Sequence, residues 1–167
     1  FSESDIEGNT LRLTDARGNV VMAWRYDMLG HQVAQTSMDA GKRWMLNNAL
    51  GGPVKAWDER GHTFSYEYDA LQRPVKTKLT KGGAVFTTGK IKYGENEPND
   101  KALNLRGKAV EAYDESGKTR TPAYDFKGAP IAVYRQLAAQ YEREILDWDN
   151  ATTTLMPEMF TQTTQFD

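Results

Sequence analysis

Short stretches of the chain alternate between apolar and polar residues, which is the pattern of β-strands with one buried face. In residues 20–27, Met22 and Trp24 fall on one face, whereas Arg25 and Asp27 fall on the other. Three further stretches alternate in the same way, namely residues 62–69, 75–79 and 90–93. The pattern predicts a mainly β fold, a strip of antiparallel hairpins joined as a meander.

A short motif recurs between these stretches: an aromatic or small residue, then Asp, two or three further residues, and Gly. Its aspartates and glycines are Asp15, Gly18, Asp27, Gly30, Asp58, Gly61, Asp114, Gly117, Asp125 and Gly128, and Asp69 belongs to a copy without the glycine. Half-copies without the Asp occupy residues 48–53 and 104–108. An Asp side chain accepts hydrogen bonds from backbone N–H groups just ahead of it, and Gly adopts positive φ. We therefore predict that these residues form the hairpin turns.

Two stretches depart from this pattern. Residues 94–103 are polar and aperiodic, which predicts a loop. Residues 131–148 carry Tyr134, Leu137 and Tyr141 at helical spacing, with Pro130 just before them. This spacing predicts one amphipathic helix near the C-terminus, lying on the sheet.

The charge balance and residue content exclude several classes of protein. Lys and Arg number 21 and Asp and Glu number 23, so the net charge is −2, without the basic excess typical of nucleic-acid binding. No run of apolar residues is long enough for a membrane span, so no direct membrane insertion is expected. The absence of cysteine excludes disulfides, thiolate zinc sites and cysteine nucleophiles.

The two ends of the sequence predict that it is a segment of a longer polypeptide. The chain begins at Phe1 without an initiator Met, and Phe166 and Asp167 resemble the first half of another motif copy. We therefore expect residues 1–167 to be a single repeat segment.

The acidic residues of the motif are candidate catalytic groups, because pairs of carboxylates catalyse glycoside hydrolysis. Asp58 with Glu59, and Asp114 with Glu115, would supply such neighbours. Each Asp, however, occupies the same turn position as the others, and a catalytic residue has no need to recur. The turn role is favoured, and no catalytic residue is predicted.

The only histidines, His31 and His62, each follow a turn glycine directly. A metal ligand or general base is conceivable at such positions. Sister copies carry Asn19 and Lys118 there, which favours ordinary residues at the start of a strand. No metal or cofactor site is predicted.

Several aromatic residues could form a platform on which sugar rings stack. They are Trp24, Tyr26, Trp44, Trp57, Phe64, Tyr66 and Tyr68. The same residues could equally pack against each other between strands. Carbohydrate binding by a bacterial surface protein therefore remains open as an alternative function.

The motif copies at residues 26–30, 68–74 and 124–128 resemble the Tyr-Asp (YD, or Rhs) repeat. Other segments narrow the resemblance, namely residues 43–47, 56–62, 104–107, 123–128, 135–138, 147–148 and 160–161. In this order they resemble the Rhs region of the B component (SpvB/TcB type) of bacterial insecticidal Tc toxin complexes. The likeness covers nearly the whole chain.

The resemblance implies a structural function. In that family, YD repeats wind into a hollow shell, in which the B and C components enclose a cytotoxic polypeptide that a pore-forming A component translocates. This segment would be non-catalytic shell wall of a secreted toxin, with the rest of the shell, the C component and the cargo as partners and the A component as an indirect one. The self-cleaving protease motif of the C component has no match here.

Two further expectations accompany this resemblance. The chain could also belong to the shell wall of an Rhs effector used between bacteria, or of a teneurin-like protein. Such a wall would form in the same way, with a different target and different partners. A strip cut from such a sheet also exposes two strand edges, so edge-to-edge self-association of the segment is possible.

Overall fold

The computed structural model describes residues 1–164, so the motif copy expected at Phe166 and Asp167 lies outside the described residues. The strands are β1 (Ser2–Ser4), β2 (Thr10–Thr14), β3 (Val20–Tyr26), β4 (Gln32–Ser37), β5 (Gly41–Asn47), β6 (Pro53–Asp58), β7 (Thr63–Tyr68), β8 (Pro74–Lys81), β9 (Ala84–Tyr93), β10 (Ala109–Asp114), β11 (Gly117–Arg120), β12 (Ala132–Leu137) and β13 (Phe160–Thr163). They form an antiparallel sheet in chain order. The predicted all-β meander is confirmed.

The chain divides into two compact units. The first comprises Phe1–Tyr66 and Leu79–Ala84, and the second comprises Glu67–Lys78 and the chain from Val85 onwards. Each unit is described separately below.

In the first unit, the strand register assigns the side chains to two faces. Trp24 pairs with Gln35, whereas the preceding residue of β4, Ala34, pairs with Trp44. Trp44 in turn pairs with Trp57. Because paired residues share a face and successive residues alternate, Trp44 and Trp57 lie on one face and Trp24 lies on the other.

The register of the first unit also shifts where strands approach turns. Such shifts occur between Arg25 and Tyr26, and between Leu46 and Asn47. An irregularity of this kind next to a turn strengthens the local twist and redirects the chain. No residue between Phe1 and Tyr66 is buried, so this stretch is a sheet with both faces accessible.

The second unit contains most of the buried side chains. Leu105, Val110, Ala138 and Leu146 are between 1% and 5% exposed. Leu105 lies in the loop that joins β9 to β10, a succession of turns that includes residues 94–103. Leu146 lies in the long connection between β12 and β13, so loops folded against the sheet create this core.

The helix predicted over residues 131–148 is wrong, and residues 1–164 contain no α-helix. Residues 132–137 form β12 instead, paired with β11 on one side and β13 on the other, and the remainder consists mainly of turns. Tyr141, on the predicted apolar face, is 70% exposed. Non-local strand partners satisfy the backbone of residues 132–137 on both sides, and this outweighs a local helical spacing. The described residues also contain no helix suited in length and hydropathy to cross a membrane.

Candidate functional site: the aspartate turns

The turn at Asp27 illustrates the local chemistry of the repeat. Oδ1 of Asp27 accepts the backbone N–H groups of Leu29 and His31, each at 2.9 Å. The backbone N–H of Asp27 donates to the carbonyl of His31 at 2.9 Å, and that of Gly30 donates to the carbonyl of Asp27 at 3.1 Å. Gly30 has φ of 78°, a conformation that favours glycine. One carboxylate oxygen thus closes a five-residue turn.

The same pair of side-chain bonds recurs at three other predicted aspartates. Asp15, Asp58 and Asp69 each accept the backbone N–H groups two and four residues ahead, at 2.8–3.0 Å. At Asp69 the glycine position is held by Gln72, which adopts φ of 60°. Gly18 and Gly61 have φ of 84° and 81°.

Two turns of this type were missed or only partly recognised in the sequence. Asp5 accepts N–H groups from Glu7 and Asn9 at 2.9 and 2.8 Å, although no aromatic residue precedes it. Asn48 accepts N–H groups from Leu50 and Gly52 at 3.0 and 2.8 Å through its amide oxygen. The Asp-x-x-Gly spacing alone would have found the first. The second shows that a neutral oxygen makes the same turn, so the negative charge is not required.

Asp114 and Asp125 form variants of the turn. Oδ1 of Asp125 accepts the N–H of Ala129 at 2.7 Å, and Gly128 has φ of 86°. Asp114 closes a tighter hairpin, accepting N–H groups from Ser116 and Gly117 at 2.8 and 3.0 Å. A Cβ atom on Gly117 would lie 2.1 Å from the carbonyl oxygen of Gln136, so only glycine fits between β10 and β12 at this point.

The second carboxylate oxygen of several turns binds the side chain four residues ahead. Oδ2 of Asp27 lies 3.2 Å from Nδ1 of His31, and Oδ2 of Asp58 lies 2.8 Å from Nδ1 of His62. Both histidines therefore brace turns. In residues 1–164, no group of three or more Asp, Glu or His side chains is arranged to hold a metal ion.

The hydrogen bonds in the turns stabilise the ionised carboxylates. The pKa of Asp27 is lowered, chiefly by the backbone N–H of His31. The pKa of Asp69 is lowered in the same way by the backbone N–H of Arg73. These shifts reflect the closing of the turns and need no catalytic role.

The structure does not bring neighbouring turn aspartates together as a catalytic pair. Asp15 and Asp27 lie at opposite ends of β3, which has seven residues and spans about 23 Å. Retaining and inverting glycosidases need carboxyl groups less than about 10 Å apart. Consecutive turns of a meander alternate between the two ends of its strands, so consecutive turn carboxylates are kept apart. Of the neighbours Asp58 and Glu59, Asp58 accepts the N–H groups of Arg60 and His62, and Oε2 of Glu59 accepts the N–H of Lys42 at 3.0 Å.

Tyrosines that precede the turns tie one hairpin to the preceding one. The hydroxyl of Tyr26 donates to the carbonyl of Thr10 at 3.1 Å, and the hydroxyl of Tyr124 donates to that of Ala109 at 2.6 Å. Tyr93 makes the equivalent bond to Pro74 at 3.1 Å. Each of these tyrosine hydroxyls therefore makes a specific hydrogen bond, a role that neither packing between strands nor a sugar platform predicts.

In the second unit, the segment Asp147–Asp149, here called the strap, is fastened across the sheet. Oδ1 of Asp147 accepts the backbone N–H of Thr87, and the backbone N–H of Trp148 donates to the carbonyl of Thr87, both at 2.9 Å. Oδ1 and Oδ2 of Asp149 bind the ammonium groups of Lys90 and Lys76 at 2.8 and 2.9 Å. The Lys90 bond, followed by the Lys76 bond, holds the pKa of Asp149 well below its ordinary value.

The strap also reaches β10 through its indole ring. Nε1 of Trp148 donates to the carbonyl of Asp114 at 3.0 Å, and its ring centroid lies 5.1 Å from that of Tyr113. The side chain of Asp114 is held by Arg135, whose guanidinium binds both carboxylate oxygens at 2.6 and 2.8 Å. The strap thus holds the loop between β12 and β13 against β9 and β10.

The aromatic residues proposed as a sugar platform do not share one surface. Trp44 and Trp57 lie on one face of the first unit, whereas Trp24 and Phe64 lie on the other. Trp44 and Trp57 are paired directly, and Trp44 is 42% exposed, whereas Phe64 and Tyr66 line a concavity with Trp57.

Comparison with known proteins identifies relatives of this repeated architecture. Over the whole length of this chain, the sequence is 30% identical to the toxin subunit YenC2 of Yersinia entomophaga. The chain covers 20% of that protein. It superimposes on the crystal structure of TcdB2-TccC3 with a TM-score of 0.81, at 22% identity, covering 99% of this chain and 9% of that one. The Photorhabdus luminescens Tc holotoxin pore gives a TM-score of 0.80 at 22% identity, covering 99% of this chain and 8% of that chain.

No protein-family model matches the chain. The chain spans about a fifth of the length of the curated relative, so the comparison concerns one segment of a larger protein. The aspartate turns and the antiparallel meander of this chain are consistent with its similarity in fold to these proteins. This chain is homologous along its whole length to a segment of the toxin subunit YenC2 and has the fold of the corresponding part of TcdB2-TccC3.

Proposed function

We propose that this chain is a non-catalytic wall segment of a YD-repeat shell that encloses a cytotoxic polypeptide in a secreted, Tc-type bacterial toxin. The single observation that carries the proposal is the similarity, along the whole of this chain, to segments of a toxin subunit and of the TcdB2-TccC3 complex. The turn geometry supports it, because each repeated Asp is engaged in closing its own hairpin.

The polar groups of the turns also fit a structural role in a wall. Asn48 replaces Asp without loss of the turn bonds, so the repeated position needs an oxygen acceptor and no acid. A wall segment has to hold its register over many hairpins, since a shift by one residue would turn each side chain to the opposite face. The turns and the tyrosine links both fix that register.

The proposed partners follow from the shell. The rest of the same shell would continue the sheet, the C component and the enclosed polypeptide would adjoin it, and the A-component pore would be an indirect partner. Secretion would follow from membership of such a toxin.

Protection of the cargo from protease tests the proposal in the full polypeptide containing this chain. We expect the enclosed region to resist protease in the intact protein. Gly117→Val should expose it, because a side chain there meets the Gln136 carbonyl and separates β11 from β12. Gly61→Asn is the matched control, since no atom lies within 4 Å of its Cβ position and Asn tolerates positive φ. A cargo region as sensitive in the intact protein as when free would contradict encapsulation.

One observation favours a second candidate, carbohydrate binding. Trp44 and Trp57 are directly paired on one face, with Lys55 Nζ 5.3 Å from the Trp57 ring centroid. Titration with oligosaccharides distinguishes the candidates: saturable binding that Trp44→Ala abolishes and Trp24→Ala retains would favour this alternative. Encapsulation requires no such binding.

A further inference from the structure

A concavity of about 430 Å³ lies in the second unit, between the loop that joins β9 to β10 and the turn of Asp125. The loop contributes Lys101 and Lys108 to its lining, and the turn contributes Lys127. We call it the lysine cleft, after these three residues. Its volume lies in the range of clefts that hold small ligands.

Hydrogen bonds fasten the two walls of the lysine cleft to each other. Nδ2 of Asn104 donates to the carbonyl of Tyr124 at 3.0 Å, and the backbone N–H of Tyr124 donates to the carbonyl of Leu103 at 3.0 Å. Leu105, in the same loop, is 4% exposed and anchors the loop in the core of the unit. The cleft is therefore already formed in the protein without a ligand.

The charges that line the cleft are unbalanced. Four cationic side chains, the three lysines and Arg106, line it together with two carboxylates. Both carboxylates are engaged within the walls, since Asp100 accepts Nε of Arg106 at 2.7 Å and Oδ1 of Asp125 accepts the N–H of Ala129 at 2.7 Å. Among residues 1–164, no carboxylate forms an ion pair with any of the three lysines. The cleft thus has three uncompensated positive charges.

Two of these ammonium groups lie at the turn of Asp125, although they belong to opposite walls. A Cβ atom on Gly128 would lie 2.6 Å from Nζ of Lys108, so the glycine leaves the space that this ammonium occupies. Nζ of Lys127 lies 5.5 Å from the ring centroid of Phe126, which is 85% exposed. Positive charge and a flat apolar surface therefore stand side by side in the cleft.

This arrangement suits a ligand with several negative charges in a small volume. Ammonium groups that share a cleft repel each other, and a bound anion removes that repulsion. A lysine ammonium is a compact point charge with three donors, which is well suited to phosphate oxygens. A carboxylate carries a single charge, whereas a phosphate group carries up to about two. Two linked phosphates therefore match three lysines better than a carboxylate does.

We propose that the lysine cleft binds an oligophosphate, that is, a ligand with two or more linked phosphate groups. The phosphates of a nucleotide and an inorganic oligophosphate share this chemistry. In a nucleotide, the base would stack on the Phe126 ring beside the phosphates. The proposal goes beyond the shell-wall function and does not depend on it.

Titration with inorganic pyrophosphate tests the proposal in the full polypeptide containing this chain. We expect saturable binding, and a rise in Kd of about tenfold or more when Lys101→Gln and Lys127→Gln are combined. The matched control combines Lys42→Gln and Lys55→Gln, which removes the same charge from exposed positions of the first unit. This control should change the Kd by less than about twofold, because distant charges are screened by salt. All four lysines are exposed, so the variants should remain folded.

Titration with ATP distinguishes the two sources of oligophosphate. If Phe126→Ala weakens the binding of ATP and leaves that of pyrophosphate unchanged, the cleft takes a nucleotide. If the variant changes neither, the cleft takes the phosphates alone. Adenosine, which has the same ring without phosphates, should not bind, and adenosine binding as tight as that of ATP would contradict the proposal.

Two results would overturn the proposal. One is the absence of saturable binding of both pyrophosphate and ATP. The other is an equal loss of affinity in the two lysine pairs, which would indicate a general attraction of anions and no site at the cleft. A protected cargo together with either result refutes the cleft alone, whereas an unprotected cargo with binding that depends on the cleft lysines refutes encapsulation alone.

Discussion

The two units of this chain are built from the same repeat, yet they differ in how they bury side chains. Between Phe1 and Tyr66 no residue is buried, and the strands are joined by short turns. In the second unit, Leu105 and Leu146 are 4% and 2% exposed, and both lie in loops that fold back on the strands. The repeat supplies turns and register, whereas the most deeply buried leucines occur where a longer connection folds back on the sheet.

Because of this difference, the two units are stabilised by different interactions. A single accessible sheet depends on cross-strand pairs, turn hydrogen bonds and the tyrosine links between hairpins. The second unit adds the strap, in which Asp149 joins Lys76 and Lys90, together with apolar burial. Substituting the same type of residue in the two units should therefore change the free energy of unfolding by different amounts.

Removing buried leucine from the second unit should give the largest effect. Leu146→Ala is expected to lower the free energy of unfolding by about 2–4 kcal/mol, because it leaves a cavity beneath the loop. Leu46→Ala is the matched variant in the first unit, where Leu46 is 53% exposed, and should change it by less than about 0.5 kcal/mol. Urea unfolding of the purified protein measures both. Equal losses would mean that the first unit is covered as well.

Removing a turn acceptor from the first unit should give an intermediate effect. Asp58→Ala deletes the acceptor for two backbone N–H groups and for His62, at an expected cost of about 1–2 kcal/mol. Asp58→Asn should cost less, because Asn48 makes the same two backbone bonds with an amide oxygen. Thermal unfolding distinguishes the variants. An Asn variant as unstable as the Ala variant would show that charge matters more than the acceptor.

The turns could be predicted from sequence because their chemistry is local. Asp27 and His31, which together close one turn, are four residues apart, so a motif contains the whole interaction. Asn48 was recognised only as part of a half-copy, since the pattern was defined by its Asp. The tyrosine links were missed because Tyr26 and Thr10, its partner, are 16 residues apart.

The loops of the second unit could not be predicted in this way. Tyr134 and Leu137 fit a helical spacing, but the partners of β12 lie in β11 and β13 and are invisible to a local pattern. Asp149 meets Lys76 across 73 residues of sequence, and nothing near either residue indicates the contact. Periodicity therefore identified the repeated strands and misassigned the segment that covers them.

The smallest expected effect concerns the ion pair that links the Asp69 turn to the loop after β9. Glu95 binds the Arg73 guanidinium at 2.8 Å and accepts the N–H of Gly107 at 2.8 Å. The Arg73 hydrogen bond, with backbone N–H groups, lowers the pKa of Glu95 to about 2. Because the pKa is lower in the folded state, this contribution is complete above the ordinary Glu value of about 4.3 and is lost as the pH falls towards 2.

Glu95→Gln should therefore remove part of the decline in stability between about pH 4.5 and pH 2, while lowering stability slightly at neutral pH. Unfolding midpoints measured across this pH range test the expectation. Glu115→Gln is the control, because Glu115 is an exposed carboxylate and has no ion pair among residues 1–164. If the two variants had the same pH profile, Glu95 would be only a solvated surface charge, and the second unit would depend on its strap and buried leucines alone to hold its loops.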